Sequence, residues 1–309
     1  MKHTKVILFI VTALGLVLIA GIARRWTETR FSARAESSAD AGAPRRVISM
    51  APAITEVLFA LGCGDRVVGV SDYCAYPPEA ARKRRVGGYF NPDYETIAAL
   101  EADLIILYPE QESQKTRVER LGPRTLVVNQ ETLAGLLESI ARIGAAVGKT
   151  AEAAELRASL TARLDRVADI TRNAPRPTVL ITAGREAGAG DISGVFIAGK
   201  NNFYTSLLEF AGGKNAYPGT LPLPQVSKEN IIDMAPDVIV EMLGDLAPQG
   251  VSHADIIADW QALCRVPAVA DGRVYLFTDA FDVVPGPRII NTLEKLAARL
   301  HPDLFPSQE

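Results

Sequence analysis

The sequence predicts an α/β protein built as two Rossmann-like lobes bridged by a single long α-helix. Three observations carry this prediction. Short β-rich runs alternate with helical ones from Arg46 onward, two stretches of the chain echo each other, and a segment free of glycine and proline lies between them. The 309 residues fit two domains at roughly 150 residues each. Hydrophobic residues make up 48% and charged residues 22%, which is enough apolar surface for a buried core and unlike a disordered chain.

The chain opens on an address. Lys2 and Lys5 precede an unbroken apolar run over residues 6–23, which Arg24 and Arg25 close. Export-signal cores run about 7–15 residues and spanning helices about 20, so residues 1–23 read as a signal peptide or an N-terminal membrane anchor. Either reading places the body in the periplasm, held to the inner membrane by residues 6–23 if the run is kept. Residues 24–44 are polar and rich in small side chains, as a linker should be.

Residues 45–149 form the expected N-terminal lobe, with strands at 47–50, 67–71, 104–108 and 125–129 and helices at 56–61, 94–100 and 133–147. Residues 150–173 follow as the interlobe helix. Leu156, Leu160, Leu164 and Val167 recur there at spacings of four, four and three, the stripe of one helical face. A helix of that length is a rod of about 36 Å. Residues 177–302 form the expected C-terminal lobe, with strands at 179–183, 238–242 and 274–278 and a helix at 254–263.

The two lobes share a local pattern. Residues 93–106 (DYETIAALEADLII) align without gaps to residues 227–240 (SKENIIDMAPDVIV). Each stretch has a helix-capping residue (Asp93, Ser227), a glutamate two positions on (Glu95, Glu229), an aspartate (Asp103, Asp237) and then a strand. A second echo pairs Phe59 with Phe210 and Gly62 with Gly213. Related lobes produce such correspondences.

Composition excludes several chemistries. With 33 basic and 36 acidic side chains the net charge is -3, so no global field attracts nucleic acid. Of three histidines, His3 and His301 lie near the termini, which leaves His253 alone in the body. A histidine-rich metal site or a Ser-His-Asp triad is therefore not expected, and neither is an enzyme built on one. Residues 194–201 (GVFIAGKN) approach the phosphate-binding GxxxxGK[ST] pattern, but Asn201 replaces the magnesium-holding hydroxyl and bulky residues fill the loop. Cys63, Cys74 and Cys264 are an odd set: Cys63 and Cys74 form a short disulfide loop in an exported chain, or all three are thiols.

The tyrosines are distributed unevenly. Tyr73, Tyr76, Tyr89, Tyr94 and Tyr108 fall within 36 positions, and Phe90 joins them. Several follow an expected strand, at the carboxyl edge where α/β sheets open their ligand crevices. Rings there either line a pocket for a large planar ligand or edge the core.

The motifs at 73–78 (YCAYPP), 86–95 (VGGYFNPDYE), 222–227 (PLPQVS) with Glu229, and 286–290 (GPRII) resemble the substrate-binding proteins of ABC importers for cobalamin and ferric siderophores, above all the cobalamin-binding members. The resemblance runs over residues 45–302 in consistent order. It implies a helical-backbone, class III periplasmic binding protein with ligand held between the lobes, no cofactor and no covalent chemistry. It implies as partners the importer's permease and ATPase, with Glu95 and Glu229 as the permease-docking pair. Tyr73, Tyr89 and Tyr108 match aromatic ligand-contacting positions, with Phe90 beside them. Tyr89, Tyr108 and Leu223 stand where the cobalamin-binding members have tryptophan, so the wall should be narrower. From the second lobe, Arg185, Phe203 and Phe281 are expected cleft residues by position, and Arg288 is either a cleft group or an ion-pair partner. The implied ligand is cobalamin, with a ferric siderophore or haem as the alternative on the same scaffold. A metal-dependent enzyme in the cleft is the remote alternative.

Overall fold

A computed structural model of the chain describes residues 42–244 and 251–305. The N-terminal apolar run and the linker up to residue 41 lie outside the described residues. The first half begins with β1 (Val47–Ser49) and α1 (Pro52–Ala60), then β2 (Val67–Val70), α2 (Pro78–Ala81), β3 (Arg84–Arg85) and α3 (Tyr94–Ala99). β4 (Leu104–Leu107), α4 (Glu112–Glu119), β5 (Arg124–Val127) and α5 (Leu133–Ala146) complete it. Its five strands are all parallel, in the order β3-β2-β1-β4-β5. All four residues of β4 are buried, as an apolar run inside a parallel sheet must be. The order reverses at β1, so the crevice for a ligand opens between the carboxyl ends of β1 and β4.

Capping fixes where the helices begin. Asp93 accepts the Thr96 amide at 3.0 Å to start α3, and Thr132 accepts the Gly135 amide at 3.0 Å to start α5. α6 (Thr150–Thr171) follows α5 after a tight turn and buries Ala153, Leu160, Leu164, Val167 and Thr171. Its 22 residues span about 33 Å. α5 and α6 approach closely at Gly144, where an added Cβ would lie 2.4 Å from that of Ala153.

The second half comprises β6 (Thr178–Gly184), β7 (Val195–Ile197), α7 (Phe203–Phe210), β8 (Lys214–Asn215), β9 (Gln225–Val226) and α8 (Lys228–Met234). β10 (Val238–Met242), α9 (His253–Asp259), α10 (Pro267–Ala270), β11 (Val274–Phe277) and α11 (Ile289–Leu300) follow. The sheet order is β11-β10-β6-β7-β9, with β8 also paired to β6. β6, β10 and β11 are parallel, whereas β7 runs antiparallel to β6 and to β9. The mainly parallel pattern expected from the sequence thus holds for the first sheet and is broken in the second. Ten residues, 185–194, connect β6 to β7, with glycines at positive φ at 188, 190 and 194. A connection that short, with no helix in it, returns the chain alongside as an antiparallel neighbour. β7 itself occupies the phosphate-loop look-alike, so those backbone amides belong to a sheet.

One apolar core ties the halves together. Ile54, Ile106 and Ile140 of the first half, Leu160, Leu164 and Val167 of α6, and Leu207, Val240, Leu293 and Leu296 of the second belong to a single buried cluster. Polar contacts reinforce it. Arg163 of α6 donates to Glu294 Oε1 at 3.0 Å and to Asn291 Oδ1 at 2.8 Å, both on α11.

Candidate functional site

The crevice at the carboxyl end of β4 is organised by one buried amide. Gln111 Oε1 accepts the Tyr108 N–H at 3.0 Å, and its Nε2 donates to the Tyr89 carbonyl at 3.1 Å. Gln111 is 1% exposed, so these bonds fix the strand end and the 86–95 loop against each other in a water-poor setting. The Tyr89 and Tyr108 ring centroids then stand 6.2 Å apart at 51°, and Phe90 meets Tyr89 edge-on at 4.7 Å. Phe90 is 76% exposed, an unusual position for so large an apolar ring. Tyr73, also exposed, has ring carbon Cε2 3.7 Å from the Cβ position of Gly88, which places it beside the same loop.

Both hydroxyls of the pair are committed. Tyr89 donates to Glu110 Oε2 at 2.8 Å, and Tyr108 donates to Gln130 Oε1 at 2.5 Å. Burial, and then the Glu110 carboxylate, push the Tyr89 phenol well above its usual range. Burial does the same to Tyr108. Both are neutral hydrogen-bond donors at neutral pH. A cavity of about 180 Å³ opens on these rings, and its rim includes Glu110, Gln130 and Glu131 from the first half and Pro285 from the second.

A second junction joins the halves behind α1. Arg288 Nη2 donates to Glu56 Oε1 at 2.5 Å, and its guanidinium stacks 3.6 Å from the Tyr76 ring centroid and 5.6 Å from that of Phe281. Burial raises the Glu56 pKa while Arg288 opposes the rise. Of the two roles the sequence left open for Arg288, the structure assigns the ion pair. A hollow of about 510 Å³ borders Glu56, Tyr76 and Arg288.

Two of the expected cleft residues sit elsewhere. The Arg185 side chain is 1% exposed, with Nε 2.7 Å from Glu241 Oε1 and Nη1 2.6 Å from Asp259 Oδ2. Trp260 Nε1 donates to Glu241 at 2.8 Å, and the Gly188 and Gly190 amides each donate to Asp259 at 2.7 Å. Burial works to raise the Asp259 pKa, but the bonds from Arg185 and from these amides outweigh it and hold the carboxyl below its usual range. Arg185 is therefore an internal tie of the second half, because its charge is matched by two buried carboxylates. Phe203, at the start of α7, is 7% exposed and packs in the core. Leu223 is 50% exposed, and Phe281 is half-buried beside Arg288 and Lys295. The structure thus brings Tyr89, Phe90 and Tyr108 to one wall, sets Tyr73 beside the 86–95 loop, and leaves Arg185 and Phe203 in the interior. Gln111, Gln130 and Glu56 are the positioning groups that sequence reasoning missed; only their nearness to strand ends could have signalled them.

Glu95 and Glu229 occupy the second positions of α3 and α8, each exposed and two residues after its cap. A hydrogen bond with Ser227 holds the Glu229 carboxyl below its usual range. No disulfide joins Cys63 to Cys74: both are buried, and Cys74 Sγ lies 3.1 Å from the Ser71 and Thr55 hydroxyls.

Two α/β lobes joined through one long helix, with an aromatic-walled crevice at the switch point of the first sheet, define a two-lobed solute-binding scaffold. The chain belongs to the periplasmic binding protein family, whose profile matches residues 47–280. It is 28% identical over 270 residues to the uncharacterized ABC transporter substrate-binding lipoprotein YvrC of Bacillus subtilis, covering 85% of this chain and 82% of that one. It is 27% identical over 269 residues to the vitamin B12-binding protein of Vibrio campbellii, covering 82% of this chain and 89% of the relative. Among solved structures, the periplasmic heme-binding protein RhuT from Roseiflexus sp. RS-1, in apo form, superposes with a TM-score of 0.70 at 26% identity, covering 84% of this chain and 99% of that one.

Proposed function

We propose that this protein is an extracytoplasmic receptor that captures a corrinoid between its lobes and delivers it to the permease and ATPase of an ABC importer. The observation that carries the reading is the rigid aromatic wall of Tyr89, Phe90 and Tyr108 at the mouth of the crevice. Large, well-positioned rings recognise a broad macrocycle at low entropic cost, and the fold requires no reaction of its own. The vitamin B12-binding name of a relative over most of both chains supports the same ligand class. Glu95 and Glu229, matched on the two halves, are the docking pair in this reading.

A haem or ferric-siderophore receptor is the second reading, favoured by the haem-binding name of a structural neighbour. Haem iron would need an axial Tyr or His. Tyr89 and Tyr108 already donate to Glu110 and Gln130, and burial disfavours their phenolate forms. That leaves the exposed Tyr73 among the expected ligand-contacting tyrosines, or the exposed His253 at the start of α9, for the role. Titration of the purified protein with cyanocobalamin, haemin and a ferric siderophore, followed by visible absorbance and protein fluorescence, separates the readings. Saturable cobalamin binding supports the first; siderophore or haem binding with no cobalamin response overturns it.

A further inference from the structure

The Tyr108 end of the crevice carries an unmatched donor. Gln130 is 3% exposed and borders the cavity; its Oε1 is taken by the Tyr108 hydroxyl, and its Nε2 has no hydrogen-bond partner. A buried amide N–H without an acceptor is costly, and a ligand oxygen would relieve that cost. On the same rim stand two carboxylates. Glu110 Oε2 accepts from Tyr89 at 2.8 Å and Glu131 Oε2 accepts from Asn129 Nδ2 at 3.1 Å. Each group has a second carboxylate oxygen to offer.

Positive charge is missing from this rim: among the described residues that border the cavity there is no Lys, Arg or His. Three cations of the second half are held by carboxylates. Arg288 is bound to Glu56, Lys295 to Asp279 and Asp282, and Arg185 to Glu241 and Asp259. A ligand edged with carboxylates, such as haem with its propionates, would meet two like charges and no counter-ion. A ligand edged with primary amides offers carbonyl oxygens to Gln130 and N–H groups to the glutamates.

We infer that Gln130, Glu110 and Glu131 form an amide-selecting subsite, in which Gln130 Nε2 donates to a ligand amide carbonyl while the two carboxylates accept amide N–H groups and repel acids. The inference rests on the corrinoid reading, because the corrin rim carries primary amides, and it assigns the discrimination to three residues that the aromatic wall does not include.

The test compares cyanocobalamin with its monocarboxylic acids, made by hydrolysing single rim amides, on the full chain. At least one acid isomer should bind about tenfold or more weakly than cyanocobalamin, the scale of one unfavourable charge contact at low screening. The double variant Glu110→Gln with Glu131→Gln should bring that isomer to within about threefold of cyanocobalamin. Gln130→Glu keeps the acceptor for Tyr108 and removes the donor; it should weaken cyanocobalamin by about tenfold, with an unchanged circular dichroism spectrum as the check on folding. Equal binding of cyanocobalamin and all acid isomers by the wild type overturns the inference even if Gln130→Glu does not fold. Absence of any cyanocobalamin binding overturns the corrinoid reading and this inference with it, whereas binding without discrimination overturns the inference alone.

Discussion

Arg288 of the second half donates to Glu56 of the first across 232 positions of sequence, and this ion pair closes the two lobes on the side of α1. The Glu56 side chain is 3% exposed and that of Arg288 21%. Packing leaves little slack: a Cβ at Gly286 would lie 2.7 Å from Glu56 Oε2. Removing one partner strands the other. Arg288→Ala leaves a buried carboxylate and an unstacked Tyr76, and should cost about 3 kcal/mol of stability. Burial already raises the Glu56 pKa, so the neutral isostere Glu56→Gln relieves part of the desolvation penalty and should cost less. Urea unfolding of both variants checks this ordering; a loss below about 0.5 kcal/mol for Arg288→Ala would show that the pair does not hold the lobes.

Asp259 gives the fold an acid limb. Its folded pKa lies below the unfolded value near 3.8, so its contribution is fully present above that value and is lost as pH falls through the folded one. Asp259→Asn removes this titration and loosens Arg185. It should cost about 2–4 kcal/mol at pH 7, and the gap to the wild type should narrow as pH drops below about 3.8. Denaturant midpoints across a pH series measure both quantities. A gap constant down to pH 3 would contradict the charge-based account.

The seven strands expected from the sequence all appear: β1, β4 and β10 are wholly buried in their sheets, whereas β5 and β11 are only partly covered and are legible from their β-branched and aromatic residues. The interlobe helix was equally legible from its stripe, although Leu156 is only partly buried. β3, β7, β8 and β9 were not foreseen: each is only two or three residues long, too short to show a period, and the antiparallel pairing of β7 depends on the glycine-rich return over residues 185–194. At the site, Tyr89 and Tyr108 stood out through the density of tyrosines near a strand end. Gln111, Gln130 and the Glu56–Arg288 pair did not, since a side chain whose partner lies 22 or 232 residues away leaves no local pattern. Arg185 misled for the same reason, its buried partners lying 56 and 74 residues away.

The α5–α6 crossing sets a sharp packing test. Gly144→Ala would gain about 1 kcal/mol from helix propensity if the site were open. Instead the new Cβ meets Ala153 Cβ at 2.4 Å and the Lys149 carbonyl at 2.8 Å, and overpacking of this kind costs about 1–3 kcal/mol. The clash should win, lowering Tm. Ala153→Gly in the same chain should recover part of the loss that Gly144→Ala causes. Calorimetric melts of the two single variants and the double give the coupling; a raised Tm for Gly144→Ala would mean that the helices part without penalty.

The docking role proposed for Glu95 and Glu229 separates transport from capture. Both carboxylates are exposed in the first turns of short helices, where each favours its own helix only weakly through the dipole, and truncation should leave the fold intact. Neither glutamate borders the cavity beside Tyr89 and Tyr108. Glu95→Ala with Glu229→Ala should therefore keep the wild-type affinity for cobalamin in solution while cutting uptake by cells at least about tenfold. Either single variant should fall between, because two charge contacts share the recognition. Charge reversal at both positions should be more damaging than alanine, since it adds repulsion to the loss of attraction. Uptake of labelled cobalamin, measured beside a solution titration of each purified variant, reads the two properties independently. Normal uptake by the double alanine variant would remove the docking role, and a parallel fall in affinity and uptake would place these glutamates in ligand capture instead.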